Sequence, residues 1–344
     1  MISSVPVQAA GYPVLSGKKI FLCGSQPKQV LFSPDNRSIV VPLLDDNGFN
    51  VIPTDGRAEV QKILPPRSGK KGFAEGLFIP EKNAFLVSQM TTGYVYEYEY
   101  PGFTFRREIK CGGVWPKFIA WSPDTQQIAV SNWLSDTVSI IDYESGIIVQ
   151  TIHTKSAPRG ILFTENGNVL IVLCFDGGSI QKFNTLTGRE TASIDVKKSA
   201  MRHIVINSSG TKAYVSDMYH SSVYTVDLAS FEITAVWRVF NNPNTIALDE
   251  DRWLYVSSRG PNNPDEYTKR SPVNGRITLI DVTDGKTVRT IEGGNQPTGL
   301  AVSTDGKLLC FSNFQDADIE LYRIECESPE EGDKSGNKPA ERGN

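Results

Sequence analysis

Apolar and polar residues recur along this chain in a frame of about 42 residues, and inside each frame they alternate with a period of two. Three segments display the frame: PKFIAWSPDTQQIAVSNW from Pro116, PRGILFTENGNVLIVLCF from Pro158 and PTGLAVSTDGKLLCFSNF from Pro297. Each has an anchor, usually proline, then a short alternating run, a Ser/Thr-x-Asp/Asn-Gly type of turn and a second alternating run. The same frame starts at Pro27, Ala74, Met201 and Pro243, so seven anchors follow one another at intervals of 47, 42, 42, 43, 42 and 54 residues. The third and fifth positions after each anchor hold Val30/Phe32, Leu77/Ile79, Ile119/Trp121, Ile161/Phe163, Ile204/Ile206, Ile246/Leu248 and Leu300/Val302. All fourteen are apolar, as a strand with one buried face requires.

A period near 42 with strand-like alternation predicts an all-β fold, a seven-bladed β-propeller with four antiparallel strands per blade. Strand a follows the anchor, strand b follows the turn, strand c is read in TVSIID, SVYTVD and RITLID, and strand d follows a Gly-bearing turn. Asp142, Asp227 and Asp281, at the ends of three c strands, are expected to accept hydrogen bonds from the next turn's backbone. After Pro297 the chain supplies only three strands. The fourth is expected from residues 18–24 (KKIFLCG), set against residues 318–324, so that both termini close the ring. Residues 1–326 then form one propeller, and the polar stretch 327–344 is expected to be a disordered tail.

IAVSNWLSDTVSIIDYESGIIVQTI, from Ile128, and AYVSDMYHSSVYTVDLASFEI, from Ala213, resemble the YVTN-type β-propeller repeat family, which is WD40-like in architecture and related in style to surface-layer and lactonase-like propellers. The second segment departs from the family pattern in carrying Ser216-Asp217 where asparagine is common. The resemblance spans the chain apart from its first dozen residues and the tail. It implies the fold, and it implies export to the periplasm or cell surface. It leaves function open, because propellers host binding, scaffolding and catalysis alike.

Composition narrows the functions. The formal net charge is −4, from 35 basic and 39 acidic residues, which argues against coating duplex nucleic acid. No run of about 20 apolar residues could span a bilayer as a helix. The first residues, MISSVPVQAAGYPVLSG, lack the basic and apolar regions of an export signal, which fits a cytoplasmic protein or one numbered from a processed start. Five cysteines (Cys23, Cys111, Cys174, Cys310, Cys326) lack metal or haem spacing, and free buried thiols are expected. No cofactor motif and no catalytic motif occurs, neither a P-loop, a nucleophile elbow, a zinc-binding HExxH nor a dinucleotide fingerprint.

Topology indicates where a site would lie. The d–a and b–c connections share one rim, and both insertions fall there: residues 259–276 in the sixth blade and residues 64–73, carrying Arg67, Lys70 and Lys71, before the second. The latter is expected to be a mobile, solvated loop. The residue after each anchor is Lys28, Glu75, Lys117, Arg159, Arg202, Asn244 or Thr298, and these should converge on the channel mouth. A ring of cations there would attract an anion; alternatively the cations pair locally with Asp45, Asp176 or Asp217. The rim also presents Trp115, Asn132, Trp133, Phe175, Met218, Tyr219, His220, Asn313 and Phe314. Trp121 and Phe163 are expected to plug the space between blades, and Trp133 and Phe314 to be more exposed.

The sequence therefore points to a non-catalytic, monomeric binding or scaffold propeller that engages a partner protein or a small anionic ligand at this rim. The candidate contact residues are Lys28, Lys117, Arg159, Arg202, Asn132, Trp133, Asp217, His220, Arg259, Asn313 and Phe314. The alternative is a lactonase-like hydrolase in which Arg159, Arg202 and His220 polarise an ester carbonyl or hold a phosphate. A metal-assisted variant would draw on Glu75, Asn132, Asp217 and Asn313.

Overall fold

The computed structural model describes residues 11–57, 59–66, 70–266 and 268–327. They form seven four-stranded antiparallel sheets, with two single turns of 3-10 helix at Pro80–Lys82 and Glu165–Gly167. The protein is a seven-bladed β-propeller. The third blade is representative: Pro116–Ser122, Gln127–Asn132, Thr137–Asp142 and Ile148–His153 are its strands a to d, in that order across the sheet. Of the expected tail, residues 327–344, Glu327 ends the last strand and residues 328–344 lie outside the described residues, as does Arg67.

Burial explains the alternation. Strands b are sandwiched between neighbouring blades and are buried at nearly every position, as in Ala84–Gln89, Val169–Cys174 and Trp253–Ser258. Strands d have one wet face, so Glu232–Arg238 alternates strictly between exposed and half-buried positions. The inner strands of adjacent blades pack on each other, and the contact of Pro297–Val302 with Leu31–Phe32 carries the ring across its closure. Trp121 and Phe163 do fill inter-blade space, Trp121 packing on residues of the second blade and donating from Nε1 to Glu81 of that blade at 2.6 Å. The strand-c aspartates bind turn backbone as expected: Asp142 accepts from Ser145 N–H (2.9 Å), Asp227 from Ser230 N–H (2.8 Å) and Asp281 from Thr283 N–H (3.0 Å).

The N-terminal strand closes the seventh blade, but it is longer than expected. It runs over Tyr12–Leu22 and pairs with Asp318–Glu327, from Leu22 opposite Asp318 to Tyr12 opposite Glu327, with a bulge between Ser16 and Lys19. The bulge lets an irregular sequence (SGKK) continue the ladder, which local alternation did not reveal.

The second anchor is shifted by one residue. Phe73 pairs with Gln89 as Pro116 pairs with Asn132, so Gly76 and Phe78, not Leu77 and Ile79, occupy the third and fifth positions. The frame tolerates glycine at the third position because Phe85 fills the space a Cβ would need, 2.7 Å away.

The closure should respond to core truncation rather than to surface change. Ile319→Ala, at a fully buried seam position, is expected to cost about 2–5 kcal/mol, and Leu22→Ala, at an exposed one, within about 0.5 kcal/mol. Urea denaturation of the two variants checks this.

Candidate functional site

Three repeated local features build the rim. The residue before the anchor takes a left-handed backbone in six blades: Gln26, Gly72, Trp115, Ala157, Asn242 and Gln296 have φ between 56° and 104°. In all seven blades the carbonyl of the residue at this place accepts the N–H of the residue that follows the anchor's cross-strand partner, as in Trp133 N to Trp115 O at 3.0 Å. Beyond the anchor, strand a carries a register break, for example between Pro116 and Ile119 or between Met201 and Ile204. Bulges of this kind re-aim side chains. Two rings of side chains result, one just after the anchors and one just after the b strands.

Between them lies a cavity of about 690 Å³ at the rim, lined among others by Lys28, Lys117, Arg202, Asn244, Leu44, Met90, Trp133, Phe175, Met218, Arg259 and Phe314. The inner ring supplies the charge and the second ring mostly supplies aromatic and thioether surface. Lys28 Nζ sits over the Phe314 ring at 5.2 Å, Arg259 over the same ring at 5.1 Å, and Lys117 Nζ over Trp133 at 4.3 Å. Trp133 and Phe175 pack together at 5.0 Å. Arg202 Nε donates to Asn244 Oδ1 at 3.0 Å, and no acceptor among the described residues takes its two terminal nitrogens.

Arg159 does not line the cavity. It is 2% exposed and forms an ion pair with Glu75, which reaches it from two blades away. Its Nε and Nη1 find no partner among the described residues. Burial works against the Glu75 carboxylate, but Arg159, Arg202 and Lys28 hold it below the usual range. Glu75 is the second residue after the true anchor, not the first, so Ala74 occupies the inner-ring place.

The expected pairing of the cations with b–c loop aspartates does not occur. Asp45 is held by Lys71 (2.8 Å), Asp217 by His220 and Tyr224, and no ion pair joins Asp176 to the ring. Among the described residues, no carboxylate lies within 4 Å of Lys28, Lys117 or Arg202. Burial pushes both lysines well below the ordinary amine range, and mutual repulsion with Arg159 and Arg202 adds to it.

Asn132, Asp217 and Asn313, the last residues of their b strands, are 0–1% exposed and turned away from the cavity into loop tethers. Asn132 Nδ2 donates to Ser139 (3.0 Å), Asp217 Oδ1 accepts from Ala200 N–H (2.8 Å), and Asn313 spans Gly294 N–H (2.9 Å) and Glu320 (3.0 Å). His220 is bound through Nδ1 to Asp217 (2.7 Å) and does not line the cavity. The four residues of the metal variant thus come from four different blades and are each engaged. Among the described residues no cluster of three His, Cys, Asp or Glu could hold a metal. Phe314 is 6% exposed, more enclosed than expected, because Lys28 and Arg259 cover its ring.

Both insertions wall the cavity. Lys71 and Gly72 line it, with Gln89 Nε2 bonded to Lys70 O at 2.8 Å, so this end of the 64–73 loop is tied down. In the longer insertion, Asn262 and Thr268 line it, and Arg270 pairs with Asp316 at 2.6 Å. Leu44 and Met90 escaped the sequence reading, although each directly follows the residue opposite its anchor (Leu43 and Gln89), as Trp133 follows Asn132.

Fold and rim together define a β-propeller with one cationic, aromatic cavity over its channel mouth. The chain is 35% identical over 315 residues to Antigen Lp49 of Leptospira interrogans (serovar copenhageni, strain Fiocruz L1-130), covering 88% of this chain and 68% of that protein. It belongs to the family of that antigen. No protein-family model matches it. A chain of Kuenenia stuttgartiensis hydrazine synthase matches with a TM-score of 0.71 at 18% identity, over 87% of this chain and 95% of that one, a likeness of fold alone.

Two outcomes follow from the buried charges. Glu75→Gln strands Arg159 and should cost about 3–5 kcal/mol, much of it recovered in the Glu75→Leu/Arg159→Met double variant; denaturant titration measures both. His203, between strands of this centre, has its imidazole pushed down to about 4 by burial, with Arg159 and Arg202 also lowering it. Its folded value lies below the unfolded 6.5, so its contribution is complete above pH 6.5 and is lost as pH falls towards 4. His203→Gln should flatten that part of the stability–pH curve.

Proposed function

We propose that the protein is a binding propeller whose rim cavity holds a small anionic ligand. One observation carries this reading: Lys28, Lys117 and Arg202 are buried at the wall of the rim cavity, and no carboxylate among the described residues stands within 4 Å of them. Burying a charge without a partner is expensive, and three on one wall more so. An anion in the cavity would supply the missing counter-charge, while the aromatic ring above would take its apolar part. A small-molecule ligand is preferred to a protein partner because the cations lie inside the cavity, where a flat surface cannot reach them.

The hydrolase alternative loses support from the site, since Arg159 is occupied by Glu75 and His220 stands apart from the cavity. The binding unit is a single propeller, to which the described residues between 11 and 327 contribute, acting as a monomer and with no role for duplex nucleic acid. A periplasmic or cell-surface setting is supported by the YVTN-type repeat likeness and by the relative's being named an antigen. No helix among the described residues is long and apolar enough to cross a membrane. The cysteines are compatible with either setting: all five are free, with Cys111, Cys174 and Cys310 buried, Cys23 half-buried and Cys326 exposed.

Small anions should raise the thermal midpoint of the protein, and Arg202→Glu combined with Lys117→Glu should abolish that shift while leaving the far-UV circular dichroism unchanged. The shift should also weaken as pH rises through the lowered lysine values, because the protonated amines bind the anion. An undiminished shift in the double variant would end the reading.

A further inference from the structure

The cavity divides into two levels with different chemistry. The inner level is electrostatic. Counting Arg159, four cations (Lys28, Lys117, Arg159, Arg202) surround one carboxylate, Glu75, and Glu75 is already committed to Arg159. With both lysines protonated, that leaves an excess of three positive charges on Lys28, Lys117 and Arg202, with Arg259 a further cation on the cavity wall. These groups feel one another: beside burial, which lowers both lysines most, Arg202, Arg259, Arg159 and Lys117 repel Lys28, and Arg159 and Arg202 repel Lys117. A single negative charge would neutralise only a third of the excess.

The outer level is polarizable. Trp133, Phe175 and Phe314 present rings, and Met90 and Met218 present thioethers, around the same volume. Aromatic faces and methionine sulfur favour flat unsaturated groups over saturated ones by contact geometry and polarizability. Lys117 over Trp133 and Lys28 over Phe314 join the levels, so the ring of a ligand would rest beside the groups that hold its charge. At about 690 Å³ the cavity takes such a molecule whole.

We propose that the ligand is a flat, unsaturated molecule bearing at least two negative charges at one end, such as an aromatic dicarboxylate or an aryl phosphate, inserted with its charged end against Lys28, Lys117 and Arg202. This rests on the anion-binding reading of the cavity. Arg202 Nε is fixed on Asn244, which leaves the terminal guanidinium nitrogens to meet a carboxylate or phosphate as a fork. Lys117 and Trp133 become the residues that set specificity for charge and for the ring.

Isothermal titration at constant ionic strength with five probes tests this: phthalate, phenyl phosphate, benzoate, cyclohexane-1,2-dicarboxylate and inorganic phosphate. Phthalate or phenyl phosphate should bind at least tenfold more tightly than benzoate, which lacks the second charge. The same probe should bind at least tenfold more tightly than its ring-free or saturated counterpart. Lys117→Gln should shrink the first ratio, and Trp133→Leu the second, with both variants retaining the wild-type thermal midpoint within a few degrees. Benzoate or the saturated dicarboxylate binding as well as the aromatic dianions would overturn the proposal while leaving anion binding standing. Failure of all five to bind would overturn both.

Discussion

One hydrogen-bonded serine, repeated around the ring, holds the rim in shape. In five blades the next-to-last residue of strand b is a buried serine: Ser88, Ser131, Ser216, Ser257 and Ser312. Each Oγ accepts an N–H from the bulged part of its own strand a, as Phe118 N–H donates to Ser131 at 3.0 Å, and donates to a strand-a carbonyl of the next blade. The recipients include Lys117 O (2.6 Å), Arg159 O (2.9 Å), Asn244 O (2.7 Å) and Thr298 O (3.0 Å), all inner-ring residues. A bulge leaves backbone groups that the ladder cannot satisfy, and a buried orphan is costly. The serine satisfies two at once, and in doing so fixes the backbone from which the inner ring projects.

The two blades without the serine are built differently at this place. In the fourth, Leu173 takes its place and packs where Gly160 has no Cβ, 3.0 Å from the position one would occupy, close to the Arg202 carbonyl. Between the first and second, Gln29 Oε1 accepts the Gly76 N–H at 2.6 Å. Packing at a glycine in one blade and a glutamine bond to a different N–H in the other accompany the missing serine, and the bulge itself persists. What is conserved in geometry is the aim of the inner ring, and chemistry varies around it.

The repeat and its closure were legible because burial imposes alternation on every strand, and alternation survives in sequence. The rim was legible only to the resolution of one residue. Asn132 and Trp133 are neighbours, yet one is wholly buried as a loop tether and the other faces the cavity, since successive strand residues point to opposite sides. The same phase separates Asn313 from Phe314 and Asp217 from Met218. Glu75 shows a different limit. Its partner Arg159 is 84 residues away, and only closure of the ring brings the two together, so no local spacing could announce the pair. The second anchor slipped because Phe73 stands where most blades have proline, at the end of the loop that lengthens that interval.

A slightly acidic protein thus concentrates positive charge at one place, and the same topology puts negative charge at the other. Six of the seven a–b turns, on the opposite rim, carry an acid: Asp35, Glu81, Asp124, Glu165, Glu250 with Asp251, and Asp305. Asp142, Asp227 and Asp281 end their c strands on that rim as well. There, Asp249 has its carboxyl pushed up to about 6 by burial and by Glu250, a sign of crowded like charge. The fold is therefore polarised along its axis. Several of those acids are paired where they stand, Asp281 with Arg252 (2.8 Å), Glu165 with Lys182 (3.1 Å) and Asp305 with Lys307 (3.8 Å). Lys28, Lys117 and Arg202 have no such partner among the described residues, so the field at the cavity rim is the less compensated of the two. Net charge, which argued only against duplex nucleic acid, hides this because it sums over the whole chain and not over one rim.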